Sequence, residues 1–321
     1  MSKSLKSSNA SAWDDFCNRL GLTSPRRRKI APYVLLLPWF IGMGVFRVFP
    51  IFHSFWISLR RYHPVVGDLG FVGLENYRRI LLPQYAEHGI GAIFRSSAVA
   101  TLRYVLIGTP MVLVAAFFIA FILNFKLKGV NLFRTAYYVP SILGGNVAVA
   151  ILWAQVFSNN GLINSILGAV GIEPIFWLTN PTFAPFTLIF LSAWQFGSVM
   201  LIFLAALQNV SPSLYEAATM DGASKIRQLF TITLPIISPV LMFNTINVLL
   251  RHFQEFNAAY LITRRGPMNA TYFLNVLIYD QAFQAGQFGI ASALTWIMLA
   301  AIGLLTAILF MSSKYWVHYN D

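Results

Sequence analysis

The sequence predicts an all-α integral membrane protein with six transmembrane helices. Of its 321 residues, 57% are hydrophobic and only 11% are charged, and the mean hydropathy is +0.64. Soluble domains carry about 25% charged residues, so the lipid bilayer must solvate much of this surface. Because about 20 apolar residues cross a bilayer, the apolar runs predict six spans, at residues 31–58, 98–124, 132–157, 184–207, 236–262 and 288–312.

Polar segments flank the predicted spans at both ends of the chain. Residues 1–29 are expected to form an N-terminal tail, residues 30–312 the transmembrane domain and residues 313–321 a C-terminal tail. We expect no cleavable signal peptide, because no small-residue cleavage site follows the first apolar run. Cys17 is the single cysteine, which excludes an intrachain disulfide and argues against a cysteine-based metal site.

Lysine and arginine residues predict the orientation. With the N-terminus inside, the cytoplasmic segments hold 13 of them and the outer segments hold 7, which favours cytoplasmic N- and C-termini. The inner set is Lys3, Lys6, Arg19, Arg26, Arg27, Arg28, Lys29, Lys126, Lys128, Arg134, Lys225, Arg227 and Lys314, and the outer set is Arg60, Arg61, Arg78, Arg79, Arg95, Arg264 and Arg265. The net charge of +12 is thus explained by topology, and no nucleic-acid partner is expected. The outer segment 59–97 runs against the trend with five arginines.

The stretch Tyr215–Pro235 is a mixed, charged interruption between two apolar runs. Ser211 and Pro212 just before it suit the N-cap and first position of a short helix. Gly222 suits the C′ position that ends such a helix, and a second short helical run follows. We therefore expect two short helices with a sharp bend, outside the lipid, in a loop at residues 208–235 between the fourth and fifth spans.

This stretch resembles the EAA signature of permease subunits of binding-protein-dependent ABC importers. The matching positions are Glu216-Ala217-Ala218, Gly222, Ile232 and Leu234-Pro235. The resemblance implies the type I ABC importer permease fold, in which this loop is a cytoplasmic coupling helix that docks into a groove on the ATPase subunit. The residues that it assigns to ATPase coupling are Glu216, Ala217, Ala218, Asp221 and Gly222.

Other phrases resemble the carbohydrate branch of that family. They lie at residues 71–77, 128–140, 161–164 and 263–271, and the first of them is an amphipathic helix in the family. One departs from the pattern, because Arg265 stands where the family has the first glycine of Gly-Gly-Pro. The resemblance implies an ATP-driven importer of an oligosaccharide, and it leaves open an acidic one such as alginate oligosaccharide.

The resemblance also implies a set of partners in the bacterial inner membrane. They are a second permease subunit, expected to form a heterodimer, two ABC ATPase subunits, an extracytoplasmic solute-binding protein and membrane lipid. The sequence has no P-loop of the form Gly-x-x-x-x-Gly-Lys-Ser/Thr, so ATP and Mg²⁺ are expected on the ATPases and no cofactor on this chain. It also lacks the catalytic motifs His-Glu-x-x-His and Gly-x-Ser-x-Gly, so we expect that this chain is a transport subunit and not an enzyme.

A polar stripe in the fifth span gives the candidate translocation path. Its members recur at spacings of three and four and are Asn244, Asn247, Arg251, Gln254 and Glu255. A charge at mid-bilayer costs about 2.5–3.5 kcal/mol, so the stripe is expected to face a bundle interior or a cavity, together with Gln195 of the fourth span. An ion pair between Arg251 and Glu255, which would only fix helix packing, is the alternative interpretation.

Helix breakers interrupt the third span at Pro140, Gly144 and Gly145. They indicate either a packing kink or a place where a cavity or neighbouring helices satisfy the exposed backbone groups. Two functional alternatives stay open: an ABC permease for another polar solute, such as a sugar phosphate, and a secondary transporter that works without an ATPase. The second is disfavoured because the sequence shows neither internal repeats nor an ion site.

Overall fold

The computed structural model describes residues 25–82, 89–125 and 129–318. The expected tail up to residue 24, with Cys17, Lys3, Lys6 and Arg19, lies outside these residues, as do Lys126, Lys128 and the last three positions of the C-terminal tail. The chain divides into two units, one ending at Ile57 and the other beginning at Ser58.

The first unit contains the first predicted span. Helix α1 covers Pro25–Met43, a π-turn covers Gly44–Val48, and α2 covers Phe49–Ser58. The helix therefore begins five residues before the predicted start of the transmembrane domain at residue 30. Proline is accepted at a first helical position because its missing N–H has no helical partner there.

The second unit begins with a β-hairpin that the sequence analysis missed. Strand β1 (Arg60–His63) pairs antiparallel with β2 (Gly67–Phe71), with Tyr62 opposite Asp68. Helix α3 (Glu75–Leu81) follows. This hairpin is a local exception in a fold that is helical as predicted. The amphipathic helix expected at 71–77 begins four residues later than its motif.

Five helical segments form the remaining spans. Three are continuous: α4 (Ile90–Leu123), α12 (Leu234–Phe253) and α15 (Phe288–Trp316). Two are bent pairs: α5 (Val130–Leu143) with α6 (Val147–Val156) turns by 105°, and α8 (Ala184–Trp194) with α9 (Gly197–Gln208) turns by 46°. Six spans are confirmed when each bent pair counts as one. The last helix runs past the predicted end at residue 312.

Short helices connect these spans. They are α7 (Leu162–Ala169), α10 (Pro212–Met220), α11 (Lys225–Gln228), α13 (Asn257–Leu261) and α14 (Leu274–Tyr279), with π-turns at Leu229–Thr233 and Asp280–Gln284 and a 3₁₀ turn at Pro267–Asn269.

Helix α4 is the central packing element, because α8, α9, α12 and α14 all lie against it. Buried Tyr104 contacts the rings of His252 and Phe273 at centroid distances of 4.9 and 4.7 Å. The Oγ1 of Thr101 accepts a hydrogen bond from the N–H of Leu274, at 2.9 Å, and so joins α4 to α14. Elsewhere in the bundle, small residues let two membrane helices approach closely.

Gly197 shows why such a small residue is required. A Cβ at this position would collide with the carbonyl of Tyr137 and the hydroxyl of Ser141, both on α5. The N–H of Ser198 donates to the Ser141 hydroxyl at 3.1 Å. The absence of a side chain at Gly197 therefore fixes how α9 packs on α5.

Candidate functional site

The loop between the fourth and fifth spans forms a well-defined bend. Helix α10 begins at Pro212 after Ser211 and ends before Gly222, which has φ = +76°. The N–H of Ala223 donates to the carbonyl of Ala218 at 2.9 Å, and that of Gly222 donates to the carbonyl of Thr219 at 3.0 Å. These two bonds form a Schellman motif, so the predicted role of Gly222 as a helix terminator is confirmed.

A buried glutamine locks this bend. Gln228 is 2% exposed, and its Nε2 donates to the hydroxyl of Thr219 at 2.9 Å and to the carbonyl of Ala223 at 3.1 Å. The Tyr215 hydroxyl lies 2.8 Å from the Thr233 hydroxyl. These contacts tie α10 to the start of the fifth span. The role of Gln228 was not predicted from the sequence.

The second short run is not a separate helix, which corrects the expectation of two short helices. Helix α11 continues through the π-turn at Leu229–Thr233 directly into α12. Pro235 comes just after this π-turn, so its missing N–H interrupts the hydrogen-bond ladder where the helix already departs from α geometry. The bend therefore joins α10 to a helix that runs without a break from α11 into the fifth span.

The side chains of this loop are largely exposed, including apolar ones. Helix α10 has no buried residue, and the side chains of Met220 and Ile226 are 89% and 72% exposed. All five residues assigned to ATPase coupling lie on α10 or in its cap: Glu216, Ala217, Asp221 and Gly222 are exposed and Ala218 is half-buried. Exposed apolar side chains among polar ones are typical of an interaction surface.

A polar cavity of about 290 Å³ lies among the bent spans. Helices α4, α8 and α12, the break between α5 and α6 with the start of α6, and the turn from α12 into α13 border it. The polar groups that border it are Tyr104, Ser141, Asn146, Ser192, Gln195, Arg251, His252, Glu255 and Asn257.

The break in the third span delivers backbone groups to this cavity. Gly145 has φ = +75°, a conformation that glycine adopts without strain. Asn146 caps α6 by accepting from the N–H of Ala148 at 3.1 Å, and Asn257 donates to the carbonyl of Gly145 at 3.3 Å. The breakers thus border a cavity, so the interpretation as a simple packing kink is not sufficient.

His252 joins three spans beside the cavity. Its Nδ1 lies 2.9 Å from the Thr109 hydroxyl on α4, and its Nε2 lies 2.7 Å from the Ser192 hydroxyl on α8. The ring is buried against Tyr104. Both ring nitrogens therefore have partners, and His252 fixes the positions of the helices that border the cavity.

Three of the six predicted path residues border the cavity: Gln195, Arg251 and Glu255. Gln195 follows the last residue of α8, at the bend of the fourth span, and its amide lies against Gly144. The Arg251 side chain is exposed. Glu255 accepts a hydrogen bond from the N–H of Ala258 at 2.8 Å and caps α13.

The alternative of an Arg251–Glu255 ion pair is wrong. Within residues 25–82, 89–125 and 129–318, the salt bridges found within 4.0 Å are Arg60–Asp68 and Arg265–Asp280. Helix α12 ends at Phe253, so Arg251 and Glu255 do not share the helical face that their spacing of four requires.

The other three stripe residues lie outside the cavity wall. Asn244 is 1% exposed, and its amide has no hydrogen-bond partner among the described residues. Asn247 donates to the carbonyl of Phe243, one turn back, at 2.8 Å. Gln254 is exposed at the end of α12, where its carbonyl accepts from Asn275 at 2.9 Å. The helical period groups Asn244, Asn247 and Arg251 on one face but does not show where the cavity opens.

Arg265, the departure from the family phrase, is held by a buried acid. Its guanidinium donates to Asp280 at 2.8 Å and lies 5.8 Å from the ring of Tyr272. The Tyr272 hydroxyl donates to the same carboxylate at 2.6 Å. Burial, and then the hydrogen bond to Asp280, raise the pKa of the Tyr272 phenol.

Comparisons with known proteins assign this architecture to a family. The family model described as "Binding-protein-dependent transport system inner membrane component" matches residues 93–319. The probable ABC transporter permease protein YesP of Bacillus subtilis (strain 168) is 42% identical over 301 residues, which cover 93% of this chain and 95% of that protein. The trehalose/maltose transport system permease protein MalF of Thermococcus litoralis is 31% identical over 282 residues, which cover 87% and 90%.

A solved structure shares the fold. It is a chain of a bacterial alginate ABC transporter in complex with an alginate pentasaccharide-bound periplasmic protein, with a TM-score of 0.75 and 20% sequence identity, covering 90% of this chain and 95% of that one. The chain therefore belongs to the family of binding-protein-dependent transport system inner membrane components, and is a multi-pass ABC permease, a transport component and not an enzyme.

Proposed function

We propose that this chain is the membrane-spanning subunit of an ATP-driven importer for an oligosaccharide that a solute-binding protein delivers. The polar cavity carries the proposal, because it supplies amide, hydroxyl and backbone groups inside the membrane. Sugar hydroxyls both donate and accept hydrogen bonds, and such groups match them. The naming of MalF for trehalose and maltose supports the same substrate class.

The size of the cavity suggests that a second subunit completes it. Ligand pockets span about 300–1,000 Å³, and this one lies at the small end at about 290 Å³. We propose a heterodimer with a second permease, in which the facing helices enlarge the space. Gln195 and Asn257 would then offer amides to the solute, and Asn244, Asn247 and Gln254 would have a supporting role.

An arginine at the cavity supports an anionic solute. Arg251 lies at the cavity without an acidic partner within 4.0 Å in the described part of the chain. A carboxylate of an acidic oligosaccharide, such as that of alginate, would pair with its guanidinium. A sugar phosphate would use the same arginine and is the second candidate.

The loop α10–α11 is proposed as the docking site for an ABC ATPase. Its exposed Met220 and Ile226 offer apolar contact, and Glu216 and Asp221 offer charge. Two such ATPases would bind ATP and Mg²⁺, and closure of their nucleotide sites would push on α10. The locked bend and the continuous helix would pass this motion to α12 and the cavity. We propose that both termini lie in the cytoplasm, on the same side as the ATPases.

Reconstitution in liposomes tests the proposal. Uptake should need the ATPases and the solute-binding protein, and uptake by this chain alone would exclude an importer subunit. Glu216→Lys should leave ATP hydrolysis running while uptake falls by tenfold or more, since about 1.4 kcal/mol of lost coupling is a factor of ten. Glu173→Lys, the same change at an exposed residue in the loop after α7, is the control. If uptake stays coupled to ATP hydrolysis in Glu216→Lys, Glu216 does not take part in ATPase coupling.

A matched pair tests the cavity. Arg251→Ala should alter solute uptake more strongly than Asn247→Ala, because of the two residues only Arg251 borders the cavity. Both subunits should still co-purify. Loss of assembly in both variants would show that the stripe is structural.

A further inference from the structure

The basic segment after the first span forms a pocket that transport does not explain. A cavity of about 240 Å³, here called the hairpin pocket, is bordered by β1, α3 and the start of α15. Three arginines line it: Arg60 and Arg61 from β1 and Arg79 from α3. An excess of arginine on the predicted outer side opposes the usual distribution of charge, and the topology therefore does not account for these residues.

The pocket is rigid because its walls are tightly joined. Asn76, buried on α3, donates from Nδ2 to the carbonyls of Ser58 and Arg60 at 2.8 and 2.9 Å. A Cβ at Gly289 would collide with the carbonyl of Arg60, and one at Gly286 would press on the His63 ring at about 2.5 Å. The close approach of β1 to α15 therefore depends on two glycines, and it fixes the arginines beside the first turn of α15.

Two of the three arginines carry charge that the protein does not neutralise locally. Arg60 pairs with Asp68, and the N–H of Gly70 together with Arg60 holds the pKa of that carboxyl below its usual range. Asp68 therefore stays ionised, and its negative charge balances the positive charge of Arg60. Neither Arg61 nor Arg79 has an acidic side chain within 4.0 Å in the described ranges. The first turn of the long helix α15 adds partial positive charge.

The pocket lies beside the start of α15 and, along the chain, its first residues come just after the first span. Arg60 comes two residues after the end of α2, and the wall residues Gly289 and Ile290 lie in the first turn of α15. The phosphate groups of a bilayer lie just beyond its hydrocarbon core of about 30 Å, which is where spans emerge. The turn of the hairpin presents Val65 and Val66, which are 87% and 67% exposed, as apolar contacts for the lipid interface.

We propose that the hairpin pocket binds the phosphate of an anionic phospholipid, with Arg61 and Arg79 as its cationic ligands and the Val65–Val66 turn inserted at the interface. Arginine donates bidentately to phosphate. The bound lipid compensates the arginines and fixes the hairpin against the bilayer. The site does not depend on the transported solute or on an ATPase, so it stands or fails separately from the proposed function.

Native mass spectrometry of the purified full-length chain tests this site. Phosphatidylglycerol, phosphatidylcholine and inorganic phosphate are titrated separately, and phosphatidylglycerol should bind tightest. Arg79→Gln should raise its dissociation constant about fivefold, since each arginine contributes about 1 kcal/mol at an anionic surface. Arg78→Gln, the same change at the neighbouring exposed residue outside the pocket, should leave it near the wild-type value.

Several outcomes would overturn the assignment. Equal weakening by Arg78→Gln and Arg79→Gln would show diffuse attraction and no site. If inorganic phosphate binds as tightly as phosphatidylglycerol, the pocket is a site for free phosphate and not for a lipid. Unchanged lipid binding with weakened docking of a solute-binding protein would assign the pocket to that partner. Arg61→Gln, at an exposed side chain, repeats the measurement where folding is not at risk and should give the same fivefold change.

Discussion

Replacing Gln228 with leucine should loosen the bend of the docking loop. The side chain is 2% exposed and donates two hydrogen bonds, to the Thr219 hydroxyl and the Ala223 carbonyl. Leucine has a similar volume, so the main change is the loss of these bonds. At about 1 kcal/mol for each neutral hydrogen bond, the closed bend loses about 2 kcal/mol. That is a shift of about thirtyfold toward the open loop.

Hydrogen exchange of the whole transporter in lipid measures this shift. The N–H groups of Gly222 and Ala223, which form the Schellman motif, should exchange about thirtyfold faster in Gln228→Leu. Uptake for each ATP hydrolysed should fall as well, because the bend no longer passes on the push. The control is Gln208→Leu, at an exposed position at the end of α9, which should change neither.

Two results would refute this reasoning. If exchange at Gly222 and Ala223 is unchanged in Gln228→Leu, the glutamine does not hold the bend. If exchange rises but transport stays coupled to ATP hydrolysis, the bend does not carry the coupling. Exchange across α12 reports whether the variant has disturbed the span itself.

Three further predictions concern packing and the outer network. Gly197→Ala should lower the thermal unfolding midpoint in detergent, because overpacking costs about 1–3 kcal/mol. Gly303→Ala should leave the midpoint unchanged, since Gly303 has open space around it. Equal effects of the two variants would exclude the close approach of α9 to α5. His252→Phe should destabilise by about 0.6–1.7 kcal/mol for each lost interhelical bond, and full stability would mean that these bonds contribute nothing. Tyr272→Phe should cost about 1.5–3 kcal/mol for its bond to the Asp280 carboxylate, measured by unfolding below pH 9. Because burial raises the pKa of Tyr272, the wild type should lose this advantage above the unfolded pKa of about 10, and a constant difference through pH 11 would contradict it.

The number of spans and the docking loop could be predicted from the sequence because their signals are local. Apolar runs of about 20 residues locate spans without knowledge of the partners. The end of α10 at Gly222 follows from the conformational freedom of glycine. The hairpin at Arg60–Phe71 was missed because its strands are four and five residues long and rich in arginine and glycine, and such composition is not typical of strands.

The cavity could be predicted only in part, because tertiary packing decides which polar residues meet. Spacings of three and four correctly place Asn247 and Arg251 on one face, but α12 ends at Phe253 and moves Glu255 off that face. The role of His252 could not be predicted, since its partners Thr109 and Ser192 are 143 and 60 residues away in sequence. No local pattern reports contacts of that separation.

The turn of 105° between α5 and α6 has a consequence for how such a transporter can change its specificity. Helix ends leave carbonyl and N–H groups without partners inside their own helix, and here they border the cavity at Gly144, Gly145 and Asn146. Main-chain carbonyl groups persist through any point mutation, and only a change to proline removes an N–H. Replacing Gln195 or Arg251 can therefore alter which solute is preferred, while a constant polar surface remains. A lineage that carries this break can explore new polar substrates without first losing the capacity to hold one.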